Sequence, residues 1–362
     1  MSGAVPATRE PSAPEPSAGG AGALREALAV HPRVRLAALP TPLQRLDSLS
    51  AELGVELWVK RDDLTGVGLG GNKVRKLEYL LGDARRRVAD VLVTVGGAQS
   101  NHARTVAAVA AMAGMDCHLV LGGHRPAQVT GNLLLDGLFG ARAHFAGTED
   151  WAVLEEQAGE LAALLQRDGR RPYVMPIGGS TAVGALGFVD ALAELAEQCA
   201  AVGLRPRHVV HATSSGGTQA GLEAGRALLG WEEMQISGVT VAKTSGELSA
   251  TVAELMRQVT GLLGGAVTSG EPHLVGGYMG ERYAAPTAGA HAAIVRLARH
   301  EGLLADPVYS GKALHATFDL LGAGRLAGPV VFWHTGGVPA LFSDEQGLMG
   351  WDRHPALAAG EA

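Results

Sequence analysis

The chain has 362 residues, of which 47% are hydrophobic and 18% are charged. A chain of this size can bury a sizeable core, and we expect two lobes rather than one. The net charge of −6 and the aromatic content of 4% exclude the basic surfaces and stacking platforms of nucleic-acid-binding proteins. The two cysteines, Cys117 and Cys199, form neither a metal-binding spacing nor a disulfide framework, which is typical of a reducing compartment.

The first residues are rich in alanine, proline, serine and glycine, a composition typical of disordered segments. We therefore predict a disordered tail over residues 1–34. No stretch of the sequence has the length and apolar character of a signal peptide or of a membrane-spanning helix. The sequence thus predicts a soluble cytoplasmic protein without a membrane partner.

Short apolar runs alternate with longer amphipathic segments along the rest of the chain. Continuous runs rich in β-branched residues predict strands covered on both faces, at 56–60, 90–95, 117–121, 142–146, 172–177, 208–213, 236–241 and 329–334. Helical periodicity predicts helices that include 74–87, 102–114, 183–203 and 286–302. This alternation predicts an α/β fold with mostly parallel sheets and flanking helices.

Glycine-rich polar segments follow four of the predicted strands, at 96–102, 178–184, 214–221 and 335–340. Open α/β sheets bind their ligands where the carboxyl ends of strands meet the N-termini of helices. We therefore expect the four segments to border a single crevice.

The segment SSGGTQAG at 214–221 follows a predicted strand and opens a helix, so its backbone N–H groups can bind a phosphate. The hydroxyls of Ser215 and Thr218 add further donors. The segment is neither a GxGxxG motif nor a Walker A loop. A tight strand-to-helix turn without a ligand is the alternative interpretation.

The segment GGAQSNHAR at 96–104 places Gln99, Ser100, Asn101 and His102 at a helix start, where the dipole and the free N–H groups favour a carboxylate. Ser100 or Asn101 could serve only as a helix cap, although four successive polar residues exceed what a cap needs. The histidines form no motif such as HExxH, and we predict no metal site.

Lys73 follows the flexible stretch GLGGN and stands where a helix begins. A lysine amine close to both a phosphate site and a carboxylate site can form a Schiff base with pyridoxal phosphate. The alternative is an ordinary solvated lysine in a basic turn with Arg75 and Lys76.

The sequence resembles the D-cysteine desulfhydrase and 1-aminocyclopropane-1-carboxylate deaminase family from about residue 36 to residue 343. The resemblance rests on LPTPLQRL (39–46), KRDDLTG (60–66), GGNKVRKLEYL (70–80), GGAQSNHAR (96–104), RPYVMPIGGS (171–180), SSGGTQAGL (214–222), DPVYSGKAL (306–314) and FWHTGGVPALF (332–342). It implies a two-domain, tryptophan-synthase-β-like fold of type II, pyridoxal 5′-phosphate as cofactor, and a homodimer. We expect a larger domain of residues 35–76 and 187–350 and a smaller domain of residues 77–186.

The resemblance also implies roles for residues near the two helix starts. Lys73 matches the lysine that forms the Schiff base, and Lys76 matches a lysine that reaches toward the cofactor phosphate. Ser100 and Asn101 match residues that bind the substrate carboxylate and a cofactor oxygen, and Ser100 also matches a residue with a proton-transfer role. Gln99 and His102 of the same motif are further candidates for substrate binding.

Other implied roles concern the phosphate and the cofactor ring. The phosphate cup of the family matches Ser215, Gly216, Gly217 and Thr218. Tyr309 of DPVY matches a tyrosine beside the ring, and Tyr283 of YAAP matches a second tyrosine of the active site.

Two positions distinguish members of the family. Ser310 stands where the deaminases carry a glutamate that holds the ring nitrogen protonated, and Thr335 stands where they carry a leucine. A serine makes the ring a weaker electron sink, which suits β-elimination better than the opening of a cyclopropane. We therefore expect β-elimination from a small amino acid, foremost D-cysteine, which would give pyruvate, ammonia and sulfide.

Several other activities stay open from the sequence. These are the removal of sulfite from L-cysteate, a β-replacement in a biosynthetic pathway and, less favoured, the deamination of 1-aminocyclopropane-1-carboxylate. A non-catalytic pyridoxal-phosphate-binding protein is the alternative from a different class. The presence of Lys73, Ser100 and both tyrosines argues against that alternative.

Overall fold

The computed structural model describes residues 18–265 and 270–343. Ten strands lie within these ranges: β1 (Leu43–Arg45), β2 (Leu57–Arg61), β3 (Val91–Gly96), β4 (Asp116–Leu121), β5 (Arg142–Phe145), β6 (Pro172–Met175), β7 (His208–Thr213), β8 (Gln235–Thr240), β9 (Leu274–Val275) and β10 (Val330–His334). Eleven α-helices accompany them: α1 (Ala18–Leu28), α2 (Asp47–Leu53), α3 (Lys73–Arg86), α4 (Asn101–Ala113), α5 (Gly131–Leu138), α6 (Trp151–Arg167), α7 (Ala182–Val202), α8 (Gly217–Leu228), α9 (Ser245–Leu262), α10 (Ala288–Glu301) and α11 (Ser310–Gly322). All eight predicted strands and all four predicted helices are present, so the expected α/β class is confirmed.

The larger sheet has the strand order β1-β2-β10-β7-β8-β9. Its strands run parallel except β1, which is antiparallel to β2. Val331 in β10 pairs with Trp58 in β2 and with Val209 in β7, so strands from early and late parts of the chain meet in the centre. Both faces are covered, because alternate side chains pack against α7 and α8 on one face and against α2, α10 and α11 on the other.

The smaller sheet has the order β5-β4-β3-β6, and all its strands are parallel. Leu92 and Leu119 point to a cluster formed with α3 and α4. Val93 and Val120 point the opposite way and pack against α6. Because both faces of the sheet are covered by helices, both sets of alternating side chains are apolar. The strands therefore appear in the sequence as continuous apolar runs.

The two sheets draw their strands from different parts of the chain: the larger from residues 43–61 and 208–334, the smaller from residues 91–175. The expected domain boundaries, after residues 76 and 186, fall inside α3 and α7. These two helices pack against each other. Because each predicted boundary lies within a continuous helix that contacts the other, the structure does not mark where one domain ends, and the boundaries stay a prediction.

Helix α1 and the ordered residues that follow it show that the predicted disordered tail over residues 1–34 is wrong for residues 18–34. Ala21, Leu24 and Leu28 lie on one face of α1 and are buried in the core cluster that contains α7. Arg25 adds an ion pair of 2.8 Å to Glu197 of α7. The small apolar stripe is stabilised by a partner far along the chain, which composition alone does not reveal. Residues 1–17 lie outside the described residues.

Strands β1 and β9 were not predicted, because three and two residues are too few to show a periodic pattern. Among the helices of the described ranges, none combines the length and the apolar character that crossing a bilayer requires. Within the same ranges, no three histidine, cysteine or carboxylate side chains gather as a metal site would need.

Candidate active site

A cavity opens where the loops after β3, β6, β7 and β10 meet the start of α3. Its lining combines residues from both sheets, as expected for a ligand site at the carboxyl ends of parallel strands. Ten residues singled out from the sequence line it: Lys73, Ser100, Asn101, His102, Ser215, Gly216, Thr218, Tyr283, Tyr309 and Thr335. Four others, Lys76, Gln99, Gly217 and Ser310, do not belong to the lining.

Lys73 is the first residue of α3, and its side chain is part of the cavity wall. Its Nζ donates to Oδ1 of Asn72 at 3.2 Å, and Asn72 Nδ2 donates to Oγ1 of Thr218 at 3.1 Å. The preceding Gly70 has a φ of +70°, and any side chain there would collide with the backbone oxygen of Asp63. Burial, together with the nearby Arg104 charge, lowers the pKa of Lys73 to about 8.

The start of α4 presents donors to the same cavity. Ser100 caps the helix by accepting the N–H of Ala103 at 3.2 Å. Oδ1 of Asn101 accepts a hydrogen bond of 2.9 Å from Asn132 Nδ2, which leaves the amide NH₂ of Asn101 as its donor. Two side chains and a helix N-terminus thus converge where a carboxylate would be stabilised.

His102 lies beneath this helix start, with Nε2 3.0 Å from Oγ1 of Thr94. Burial, followed by the charges of Lys73 and Lys76, holds the pKa of His102 well below its usual value. His102 is therefore a neutral group in the cavity wall. Its Nδ1 has no hydrogen-bond partner among the described residues.

Gln99 does not take the position predicted from the sequence. Its side-chain amide donates to the backbone oxygen of Thr130 at 3.1 Å and accepts from the backbone N–H of Asn132 at 2.8 Å. Both polar atoms are thus used to hold the start of α5 against α4. The predicted contact of Gln99 with substrate is replaced by a structural role.

The start of α8 forms a cup of small residues. Gly216 precedes the helix with a φ of +84°, and the N–H of Gly217 donates to Oγ of Ser180 at 3.1 Å. Oγ of Ser180 also lies 2.7 Å from Oγ of Ser215. A Cβ on Gly217 would lie 3.0 Å from the backbone Cα of Ser180 and 2.7 Å from Nζ of Lys76, so a side chain there would force the cup to shift. Ser180 was missed by sequence reasoning, although the segment GGS after β6 carried the signal.

Lys76 reaches this cup from the second turn of α3. Its Nζ donates to the backbone oxygen of Gly178 at 3.1 Å and to Oγ of Ser180 at 3.2 Å, and the residue is only 1% exposed. Within the described residues it has no carboxylate in an ion pair. Burial and the neighbouring Lys73 hold the pKa of Lys76 well below its usual value. A buried amine beside a helix N-terminus is stabilised by an anion such as a phosphate.

Tyr283 and Tyr309 bring their hydroxyl groups into a short hydrogen bond at the cavity wall. Burial raises the pKa of Tyr283 to about 12. Trp151, the first residue of α6, contacts the ring of Tyr283 edge-on with 5.5 Å between ring centroids. Trp151 was missed because no sequence spacing links it to residue 283.

Ser310 lies directly behind Tyr309, and its side chain is fully buried. Its hydroxyl donates to Oδ1 of Asp306 at 2.5 Å. Asp306 was missed because it lies four residues before α11, outside the N-cap position that Tyr309 occupies, although its carboxylate accepts the backbone N–H groups of Tyr309 and Ser310. Thr335 follows β10, and its backbone oxygen accepts the N–H of Asn72 at 3.0 Å, which ties the loop before Lys73 to the larger sheet.

These residues fit the cofactor that the resemblance implies. The cup at α8 and the buried amine of Lys76 suit the phosphate group of pyridoxal phosphate. The amine of Lys73, elsewhere in the wall of the same cavity, suits its aldehyde. The strongest sign is Lys76, because a buried amine without a carboxylate partner among the described residues would be stabilised in its charged form by an anion such as a phosphate.

Comparison with known proteins agrees with this assignment. The family described as pyridoxal-phosphate dependent enzymes matches residues 34–336. A D-cysteine desulfhydrase of Salmonella choleraesuis is 42% identical, over 86% of this chain and 96% of the relative. A Pyrococcus horikoshii protein with the provisional name 1-aminocyclopropane-1-carboxylate deaminase is 40% identical. The match covers 87% of this chain and 94% of the length of that protein.

A solved structure extends the agreement to the fold. The crystal structure of an ACC deaminase homologue matches with a TM-score of 0.85 and 38% identity, and the match covers 90% of this chain and 98% of the other. The expected type II fold and the expected cofactor are thereby confirmed. The chain belongs to the family of pyridoxal-phosphate dependent enzymes.

Proposed function

We propose that this enzyme removes a leaving group from Cβ of a small amino acid, with D-cysteine as the leading substrate and pyruvate, ammonia and sulfide as products. The observation that carries the proposal is that Lys73 shares one cavity with the helix starts at Ser100 and Ser215. The relative named D-cysteine desulfhydrase supports the choice of substrate. A homodimer and a cytoplasmic location belong to the same proposal.

The cup at α8 would hold the cofactor by its phosphate. The hydroxyls of Ser215 and Thr218 and the N–H group of Gly216 would donate to it, while the N–H of Gly217 holds Ser180 beside the cup. Lys76 would supply the positive charge from behind the cup. Pyridoxal phosphate, when bound, withdraws electrons from Cα of an attached amino acid.

The start of α4 would orient the amino acid. Ser100 and the NH₂ group of Asn101 would bind its carboxylate, with the helix dipole adding to the attraction. Holding the carboxylate at this helix start and the amino nitrogen at the cofactor would restrict the orientation of the Cα–H bond.

Nζ of Lys73 would accept the proton from Cα. With a pKa of about 8, a useful fraction of this amine is unprotonated near neutral pH. An unperturbed lysine would be almost fully protonated there and would be a poor base. The lowered pKa therefore suits a general base.

The tyrosine pair would serve the leaving group. As the Cβ–S bond breaks, sulfur takes the bonding electrons and leaves as a thiolate, which receives a proton from the phenol of Tyr283 or Tyr309. The unsaturated amine that remains is released and reacts with water, which gives pyruvate and ammonia. The phenol of Tyr283 is protonated at neutral pH, although burial raises its pKa to about 12 and so makes it a weaker acid than a free tyrosine.

Ring opening of 1-aminocyclopropane-1-carboxylate is the second candidate. The Pyrococcus relative favours it, and so does the carboxylate of Asp306, which lies one hydrogen bond behind Ser310. Thr335 favours elimination, because its hydroxyl makes the wall more polar than a leucine would. Both candidates need the same lysine and the same carboxylate site.

A substrate panel tests the proposal. Purified holoenzyme is given D-cysteine, L-cysteine, L-cysteate, β-chloroalanine, D-serine or 1-aminocyclopropane-1-carboxylate, and pyruvate, 2-oxobutyrate, sulfide and sulfite are measured. We expect pyruvate and sulfide from D-cysteine in equal amounts, no turnover in Lys73→Ala, and full turnover in Lys243→Ala, whose lysine lies outside the cavity. Faster release of 2-oxobutyrate from the cyclopropane than of pyruvate from D-cysteine would contradict the proposal.

A further inference from the structure

Arg104 is a fully buried cation that the proposed mechanism does not use. It lies on α4, one turn beyond Ser100 and Asn101. Its Nη2 donates to the backbone oxygen of Gly70 at 2.9 Å, and its Nη1 donates to the backbone oxygen of Gly68. The guanidinium fork thus binds two carbonyl groups of the loop that leads into Lys73.

The same face of α4 touches this loop a second time. Ala108 lies four residues after Arg104, and a Cβ placed on Gly68 would lie 2.9 Å from its methyl group. Gly68 has a φ of +54°, so the loop needs glycine both for its conformation and for its close approach to the helix. The first turn of this face of α4 therefore carries the carboxylate site. The next two turns carry Arg104 and Ala108, which contact the loop that leads into Lys73.

We propose that Arg104 is a positioning residue that holds Lys73 at a fixed place relative to the carboxylate site of α4 and places a positive charge beside its amine. The inference rests on the proposed role of Lys73. A planar fork suits this task, because two donors in fixed geometry define the orientation of the loop and a single ammonium does not.

The charges that face Lys73 come from several elements. Arg104 and His102 lie on α4, Asp306 precedes α11, Lys76 lies on α3 itself, and His211 lies on β7. Burial holds the pKa of both histidines below the usual value, so they are neutral. Arg104 thus favours the unprotonated amine of Lys73, whereas Asp306 opposes it. Lys73 in turn lowers the pKa of Lys76.

The test measures how fast added pyridoxal phosphate bonds to the cofactor-stripped, full-length chain at pH 6 to 10. Bound cofactor is trapped with borohydride, and mass spectrometry quantifies it at Lys73. Three variants are compared with wild type. Arg104→Gln removes the charge and the fork, Arg104→Lys keeps the charge but loses the fork, and Arg33→Gln is the control. Arg33 is an ion-paired arginine that bonds to Glu78 and Asp190 outside the cavity lining.

We expect the pH midpoint of trapping to rise by about one unit in Arg104→Gln, the size expected when a buried unit charge beside the amine is removed. The rate at pH 7 then falls about tenfold, because the unprotonated fraction of the amine falls by that factor. Arg104→Lys should restore the midpoint but not the full rate. Arg33→Gln should keep the wild-type midpoint.

Two results would overturn the inference alone: a wild-type midpoint in Arg104→Gln, or a wild-type rate in Arg104→Lys. If Arg104→Gln does not fold, the rate and midpoint of Arg104→Lys decide the question. Absence of label at Lys73 in the wild-type chain would overturn the proposed function, and this inference with it. The probe is pyridoxal phosphate itself, so the outcome does not depend on which amino acid is the substrate.

Discussion

The hydroxyl of Ser310 donates a hydrogen bond of 2.5 Å to Oδ1 of Asp306. The carboxylate also accepts the backbone N–H groups of Ser310 and Tyr309, each at 2.8 Å, and both Ser310 and Asp306 are fully buried. A carboxylate therefore lies immediately behind the residue that the resemblance places opposite the cofactor nitrogen. The contrast between this serine and the glutamate of the deaminases is smaller than the residue types alone suggest.

A second carboxylate at this position should destabilise the protein. Ser310→Glu would bury a glutamate against Asp306, and two like charges in a dry site oppose each other's ionisation. We expect a loss of about 2–4 kcal/mol in the free energy of unfolding at pH 8 and a smaller loss at pH 5. Urea unfolding at the two pH values measures it. The double variant Asp306→Asn, Ser310→Glu removes the repulsion and serves as the control. Equal losses at both pH values would count against the close pairing of these residues.

The paired tyrosines should contribute unequally to activity. One O–H is used inside the hydrogen bond between Tyr283 and Tyr309, so only the other can donate into the cavity. We expect one of Tyr283→Phe and Tyr309→Phe to lower kcat on D-cysteine about 100-fold and the other to lower it less than about tenfold. Steady-state kinetics of both variants checks this. Equal small effects would remove the pair from the proton transfer to sulfur.

The pH profile gives an independent check on the tyrosines. Burial raises the pKa of Tyr283 to about 12 and holds that of Tyr309 well above the usual 10. Neither phenol should lose its proton below pH 10, so any alkaline decline of kcat in that range must persist in both phenylalanine variants.

A buried charge network should make stability depend on acid pH. Glu194 accepts hydrogen bonds from Lys60 at 2.5 Å and from Arg75 at 2.8 Å. Burial alone would raise the pKa of Glu194, but Arg75 and Lys60 outweigh it and hold the pKa at about 2. The folded pKa lies below the ordinary 4.5, so this stabilisation is present above pH 4.5 and is lost as pH falls toward 2.

We expect this loss to amount to about 3 kcal/mol in the wild type, and Glu194→Gln to lack it. The variant should also be less stable at pH 7 by about 3–5 kcal/mol, because Lys60 and Arg75 would be left without that carboxylate. Urea unfolding at pH 7 gives the second quantity, and a series from pH 7 down to pH 3 should already show about 2 kcal/mol of the first. Parallel stability curves for variant and wild type would show that Glu194 does not carry the acid dependence.

The sequence predicted those parts of the site that a local pattern encodes. Lys73, Ser100 and Ser215 were found because each lies in a glycine-rich segment that opens a helix, and the eight strands were found because each is a continuous apolar run. These signals depend only on neighbouring residues. The helix of residues 18–28 was missed because its burial depends on α7, far away in the chain.

Most of the missed pairings in the site span long distances in the sequence, and the exception is Asp306 with Ser310, four residues apart. Ser180 and Ser215 are 35 residues apart, and Arg104 is 36 residues from Gly68. From residue types alone, Ser310 was expected to offer the cofactor only a neutral hydrogen bond. The structure shows that its hydroxyl is bonded to the carboxylate of Asp306. Gln99 was assigned to substrate from its motif, yet the start of α5 takes up both of its polar atoms. Such pairings become visible only when the fold brings the loops together.

The position of the cofactor's covalent bond tests the central claim most directly. Holoenzyme is reduced with borohydride and digested, and mass spectrometry locates the added pyridoxyl phosphate. We expect the label on Lys73 and none on Lys76, the buried lysine three residues later, and we expect no label in Lys73→Ala. A label on Lys76 or on any other lysine, or an unlabelled holoenzyme, would contradict the assignment of Lys73.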